Sequence, residues 1–87
     1  MITAAFKRSY GRPAMSSELD TWTPLQLNFG EIVAANRGYM YSSQGAKELA
    51  ATVERALFNK KGEKPSAAEI SAAIVQYSGS KAIFAEM

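Results

Sequence analysis

The chemistry available to this sequence rests on carboxylates, cations and hydroxyls, because histidine and cysteine are both absent from its 87 residues. Without histidine, no side chain titrates near neutral pH in its ordinary state, and no imidazole is available as a metal ligand. Without cysteine, there is no disulfide, thiolate ligand or thiol nucleophile. We therefore expect neither a metal nor a cofactor. Any general base would have to be a carboxylate, a lysine or a tyrosine with a displaced pKa.

The acidic residues do not form a recognisable pair for acid–base catalysis. Glu48 and Glu54 share one predicted helix, but six residues apart they point to different sides of it. Glu18 and Asp20 lie close to Trp22 near a predicted turn. Catalytic carboxyl pairs need neighbouring groups whose environments push their pKa values apart, and nothing in the sequence indicates such an arrangement. We expect solvated acids and predict that the protein is not an enzyme.

The segment Ser78-Gly79-Ser80-Lys81 shares letters with the end of a phosphate-binding loop. The match fails because the earlier glycine of the Walker pattern is missing. The two predicted helices around this segment also have the outline of a helix-turn-helix. Residues 80–87 make a poor recognition helix, because Glu86 would be repelled by phosphates. We interpret the segment as a break between packed helices.

Two clusters of cations are the candidates for contacts to phosphates or to an acidic partner. They comprise Lys7, Arg8 and Arg12 near the start, and Lys60, Lys61 and Lys64 further along. Phe6 and Tyr10 lie within or beside the first cluster, and aromatic rings can stack on unpaired bases. The net charge is only +2, so a nucleic-acid-binding protein that uses the basic arm and the Lys60–Lys64 loop is the alternative function.

The middle of the chain is rich in aromatic residues and provides candidates for a protein interface. These are Trp22, Tyr39, Met40 and Tyr41. Trp, Tyr and Met are enriched at interfaces, although they are also ordinary core residues. With no catalytic pattern in sight, we predict a small non-enzymatic protein-binding module that occupies a surface of a larger protein, or of a second copy as a homo-oligomer. An inhibitor or accessory subunit of the kind carried by viruses and mobile elements fits this size.

Length and composition predict one domain with a mainly α fold. Residues 1–15 are predicted as a basic arm, flexible or docked, because Gly11 and Pro13 favour a turn. Residues 16–87 are predicted as a single helical domain, a compact bundle of three to four helices.

Residues 43–60 and 66–77 give the strongest helical signals. The first carries an apolar stripe at helical spacing, made of Ala46, Leu49, Ala50, Val53 and Leu57. Gly62 is well placed to end this helix. Ser66 and Glu69 match a capping box, in which each side chain accepts from the backbone amide of the other residue.

Residues 23–41 allow two interpretations. In the first, a helix begins after Thr23 as N-cap, with Pro24 as its first residue, and ends at Gly38. In the second, Asn36-Arg37-Gly38 is the turn of a hairpin. A short hairpin around residues 31–43 would give an α+β fold, with the hairpin packed on two helices.

No apolar run approaches the ~20 residues that a membrane span requires. Lys7 and Arg8 follow the start too closely for an apolar signal segment. With the absence of cysteine, these features predict a cytoplasmic protein that does not associate with membranes.

Overall fold

Helices account for 70% of the chain in the computed structural model, which describes all 87 residues. The order is α1 (Ile2–Tyr10), α2 (Ser16–Trp22), a 3-10 turn (Thr23–Leu25), α3 (Phe29–Met40), α4 (Ala46–Lys61), α5 (Ala67–Gln76) and α6 (Ile83–Glu86). The prediction of a mainly α fold is confirmed, and there are no strands. Six helices are present where three to four were expected, because residues 2–10 are helical and residues 16–40 are divided between two helices.

The helix α1 lies in the core, in the segment that the sequence predicted as an arm. Ala5, Phe6, Ser9 and Tyr10 are buried, at the spacing of one helix face. This face packs against α3, α4 and α6. The buried face of α1 includes the small residues Ala5 and Ser9. Asn36 Nδ2 of α3 donates to Ser9 Oγ of α1 at 3.4 Å. A flexible arm is therefore wrong for residues 2–10, which are docked as a helix.

The hairpin interpretation of residues 31–43 is also wrong, because α3 is helical from Phe29 to Met40. Asn28 caps it: Asn28 Oδ1 accepts from the Glu31 amide at 2.8 Å, and Glu31 Oε1 accepts from the Asn28 amide at 3.0 Å. The helix does not begin at Thr23, which instead starts the 3-10 turn. Gly38 does not end it, since it lies exposed inside α3.

The two strongest helical predictions are confirmed, although α4 begins at Ala46 and not at residue 43. Gly62 follows the end of α4 with a left-handed φ of 75°, a conformation that glycine adopts without strain. At the start of α5, Ser66 Oγ accepts from the Glu69 amide at 3.2 Å, and Glu69 Oε1 accepts from the Ser66 amide at 3.0 Å. Of the predicted apolar stripe, Leu49 and Val53 are buried, whereas Leu57 is half-buried against the core.

All helices except α2 contribute buried side chains to the core. The largest fully buried apolar ones are Phe6, Ile32, Met40, Val53 and Ile83. Trp22, at the end of α2, is partly buried against this core. None of the helices combines the length and the hydropathy that would let it cross a membrane.

Candidate functional site

The four residues predicted to bind a partner lie in different environments. Met40 is only 1% exposed and belongs to the core, so it is not available to a partner. Tyr39 and Tyr41 flank it and are exposed. Tyr39 Oη donates to the Gln44 carbonyl oxygen at 3.4 Å. Trp22 is half-buried beside α1. It lines one cleft of about 370 Å³ together with Tyr39, whereas Tyr41 is not part of that lining.

Trp22 lines an apolar groove between α1 and α2, which we call the Trp22 groove. Its volume is about 480 Å³. The lining residues are Met1, Ile2, Thr3, Leu19, Trp22, Thr23, Gln26 and Leu27, none of which has a charged side chain. Leu19 is exposed, and Leu25 next to the groove residues is 55% exposed. The groove therefore presents apolar surface that the chain itself does not cover.

The indole of Trp22 is held in place by the core. Its ring meets the Phe6 ring edge to face, with centroids 6.0 Å apart and an interplanar angle of 83°. Phe6 in turn meets Tyr10 edge to face at 5.3 Å. Aromatic pairs prefer this geometry because the positive edge of one ring meets the negative face of the other. Trp22 is thus a rigid wall of the groove.

The helix α2 forms the other wall, and it is held in place through Trp22 and Glu18. It has seven residues, none of them buried, and helices this short are not stable without packing. A second cleft of about 370 Å³ lies on another side of α2, with Met15, Glu18 and Trp22 in its lining. Trp22 anchors the end of α2, and an ion pair to Glu18 anchors its start.

That ion pair is made by Arg12, which was predicted to contact phosphates or an acidic partner. Its Nη1 donates to Glu18 Oε1 at 2.7 Å, and its Nη2 donates to Glu18 Oε2 at 3.0 Å and to Glu48 Oε1 at 2.5 Å. The guanidinium lies 5.0 Å from the Tyr10 ring centroid, within the range of a cation–π interaction. Arg12 is thus paired with two carboxylates of its own chain and is not a free cation in this structure.

The same cluster shifts the pKa values of its members. Hydrogen bonding to Arg12 lowers the pKa of Glu18, with further help from the Met15 amide, and burial opposes this shift. Burial raises the pKa of Tyr10, and the nearby Glu48 carboxylate adds to the effect. Hydrogen bonding to Glu18 raises the pKa of Arg12. The shifts of Glu18 and Arg12 both favour the charged forms that pair with each other.

The other predicted cations divide into one paired and four unpaired residues. Lys61 pairs with Glu69. Lys7, Arg8, Lys60 and Lys64 are exposed and form no ion pair. Two of the six cations proposed for phosphate contacts are therefore already neutralised within the chain.

Sequence reasoning missed the residues that complete the Trp22 groove, above all Ile2 and Leu19. Leu19 and Trp22 lie three residues apart in α2, which places them on one helix face. The sequence therefore contains an apolar spacing for this face, but only two residues define it. Ile2 could not be found, because residues 1–15 were not predicted as a helix. No three acidic residues lie close enough together to hold a metal ion.

No protein-family model, curated protein or solved structure matches this chain. The geometry of the Trp22 groove is therefore the basis for the function that follows.

Proposed function

We propose that this protein is a small, non-enzymatic protein-binding module that holds the apolar face of a partner's amphipathic helix in the Trp22 groove. The observation that carries the proposal is the lining of this groove, which has no charged side chain and lies beside α2, a helix with no buried residue. By covering a helix of its partner, the protein would act as an inhibitor or an accessory subunit.

A helix suits the groove because its walls are themselves helical. An amphipathic helix inserts apolar side chains spaced three and four residues apart into such a groove. The lining offers no charged side chain to a polar ligand, so affinity would come mainly from burial of apolar surface at about 25 cal/mol per Å². Trp22 is of the residue type most enriched at interface hot spots, and its contact with Phe6 holds it rigid before binding.

One exposed cation on α1 indicates the charge of the partner. Lys7 follows the groove residue Thr3 by four positions in α1, which places both on one helix face. Lys7 is exposed and has no ion-pair partner. A partner helix with an acidic flank would complement it, and such exposed charges mainly raise the association rate.

The proposal is tested with amphipathic helical peptides selected from a display library against the immobilised protein. Trp22 is the only tryptophan in the chain, so its emission reports directly on occupancy of the groove. Selected peptides should shift this emission to shorter wavelength as they exclude water. Leu19→Ala and Leu27→Ala, which both truncate lining side chains, should each weaken binding about tenfold, which is about 1.4 kcal/mol.

The matched control is Val75→Ala on α5, since Val75 is 76% exposed and does not line the groove. It should leave the affinity unchanged. Peptides that bind the wild type and the three alanine variants equally, or that leave Trp22 emission unchanged, would contradict the proposal. A dimer whose formation shifts Trp22 emission without peptide would make a second copy the occupant instead.

The nucleic-acid alternative is tested by fluorescence anisotropy with labelled single-stranded and duplex oligonucleotides. We expect binding too weak to detect at physiological salt, because only four of the six predicted cations are unpaired and so few phosphate contacts give a low affinity. Sub-micromolar binding that survives physiological salt and is lost in a Lys7→Ala, Arg8→Ala double variant would replace the protein-binding proposal.

A further inference from the structure

A separate cleft of about 420 Å³ lies between α1, α3 and the segment that precedes α6. Its lining residues are Arg8, Phe29, Gly30, Val33, Ala34, Arg37, Lys81 and Ala82. None of them lines the Trp22 groove. We call this the cationic cleft, because three positive side chains from three parts of the chain converge on it and no acidic residue lines it.

None of the three cations is neutralised within the protein, since Arg8, Arg37 and Lys81 form no ion pair. The acids nearest to lining residues along the chain are Glu31 and Glu86. Glu31 accepts from the Asn28 amide, and Glu86 accepts from the Ala82 amide at 2.8 Å. The cleft therefore concentrates positive charge without a counterion from the chain.

Arg37 is already oriented for an anion. Its Nε donates to the Ser80 carbonyl oxygen at 2.8 Å, and its Nη2 donates to the Gly79 carbonyl oxygen at 3.1 Å. The guanidinium also lies 5.5 Å from the Tyr41 ring centroid. Nη1 makes no hydrogen bond with the protein. A guanidinium held in this way loses little conformational entropy when it binds an anion, because its position is set beforehand.

The rest of the lining is apolar. Val33 and Ala82 are buried, and Phe29 is 38% exposed, so part of its ring is open to a ligand. Small-molecule sites combine mostly apolar walls with a few charged or polar groups, in clefts of about 300–1,000 Å³. The cationic cleft has both the composition and the size of such a site.

We propose that the cationic cleft binds a small organic phosphomonoester that carries a flat, apolar group. Such an ester has a charge of about −1.5 to −2 at neutral pH, which matches the unpaired cations better than a single carboxylate would. The phosphate lies among Arg8, Arg37 and Lys81, where guanidinium groups complement its oxygens. The apolar group contacts Phe29. This site is independent of the Trp22 groove and of its proposed partner.

The test uses phenyl phosphate as the probe, with inorganic phosphate and phenol as matched halves of the ligand. A ligand that binds only the folded state raises the melting temperature, by an amount that grows with the logarithm of its concentration divided by its Kd. Phenyl phosphate should bind with a Kd of about 1 mM or tighter. Inorganic phosphate should bind more weakly, and phenol should have no measurable effect. Equal effects of phenyl phosphate and inorganic phosphate would overturn the role of Phe29.

Arg8→Gln and Lys81→Gln are suitable variants, because both side chains are exposed and make no hydrogen bond within the protein. Each should weaken phenyl phosphate binding about tenfold, by about 1.4 kcal/mol. Lys7→Gln, one residue before Arg8, and Lys64→Gln remove equally exposed cations outside the cleft. These controls should bind as the wild type does. An equal loss in the controls would show that only the net charge matters, and would overturn the site.

The melting temperature without ligand separates a binding site from a structural cluster. Because the cations repel one another, Arg8→Gln and Lys81→Gln should keep or raise this temperature while they reduce the response to phenyl phosphate. A lower melting temperature without ligand, with an unchanged response to phenyl phosphate, would overturn the proposal. Phenyl phosphate binding should leave the emission wavelength of Trp22 unchanged. The test of the cationic cleft is therefore independent of the peptide experiments on the Trp22 groove.

Discussion

Arg12 Nη2 and Glu48 Oε1 lie 2.5 Å apart, although 36 residues separate them in the chain. The same guanidinium binds both carboxylate oxygens of Glu18. One side chain thus ties the linker after α1 and the start of α2 to α4. The three side chains are between 19% and 22% exposed, so solvent screens this network less than it screens a surface pair.

We predict that Arg12→Ala lowers the free energy of unfolding by about 2 kcal/mol. The reason is that hydrogen bonds to charged groups contribute about 1.5–3 kcal/mol, and the substitution leaves Glu18 without a cation. Arg12→Lys should recover only part of the loss, because lysine lacks the planar fork that binds both carboxylate oxygens. Urea unfolding followed by circular dichroism measures the effect. Lys7→Ala, which removes an unpaired cation, is the control, and an equal loss in that variant would contradict the prediction.

The pH dependence of stability follows from the lowered pKa of Glu18. The unfolded chain takes up this proton at a higher pH than the folded protein does, so stability falls as the solution becomes acidic. The contribution of Glu18 is fully present above about pH 5, and it is lost as the pH falls through the lowered pKa. The wild type should therefore exceed Glu18→Gln in stability at neutral pH, and the difference should narrow in acid.

Asp20→Asn is the control for this measurement, because it removes an exposed carboxylate two residues away that has no ion-pair partner. Urea unfolding at several pH values compares the three proteins. If the stability difference between the wild type and Asp20→Asn narrowed in acid by the same amount, net charge, and not the contact with Arg12, would be the cause.

The place of α1 in the core predicts a large difference between two phenylalanines. Phe6 is 1% exposed and Phe58 is 50% exposed. Phe6→Ala should cost about 3–5 kcal/mol, which is a large share of the roughly 5–15 kcal/mol that stabilises an ordinary domain. Phe58→Ala should cost far less. Thermal melts and circular dichroism decide this, and near-equal effects would mean that residues 2–10 are an arm after all.

Replacing two different glycines with alanine should change the stability of the protein in opposite directions. Gly38 is inside α3 with open space around it, so Gly38→Ala should stabilise the protein by about 0.5–1 kcal/mol. A Cβ on Gly45 would overlap the backbone carbonyl of Tyr39, so Gly45→Ala should destabilise it by about 1–3 kcal/mol. Denaturant midpoints measure both. A loss of stability in Gly38→Ala would instead favour the turn of a hairpin at that position.

The parts of the fold that were predicted correctly depend on local chemistry. The box of Ser66 and Glu69 and the stop at Gly62 act within one helical turn, so they can be read from neighbouring residues. Asn28 and Glu31 form a box of the same kind, and this local signal was overlooked in favour of Thr23 and Pro24.

The parts that were missed depend on contacts between distant residues. The buried face of α1 includes Ala5 and Ser9, which are too small or too polar to form an apolar stripe. The charge of Arg12 favoured an external role until its contact with Glu48 was known. Both clefts combine residues from separate helices, so their existence depends on tertiary packing that no local pattern encodes.

Amide proton–nitrogen correlation spectra, recorded while a selected helical peptide is added, test the Trp22 groove most directly. We predict that the largest shift changes fall on Ile2, Thr3, Leu19 and Gln26, and on the indole N–H of Trp22. Changes that concentrate on α4 and α5 while the Trp22 indole does not move would contradict the proposed docking site.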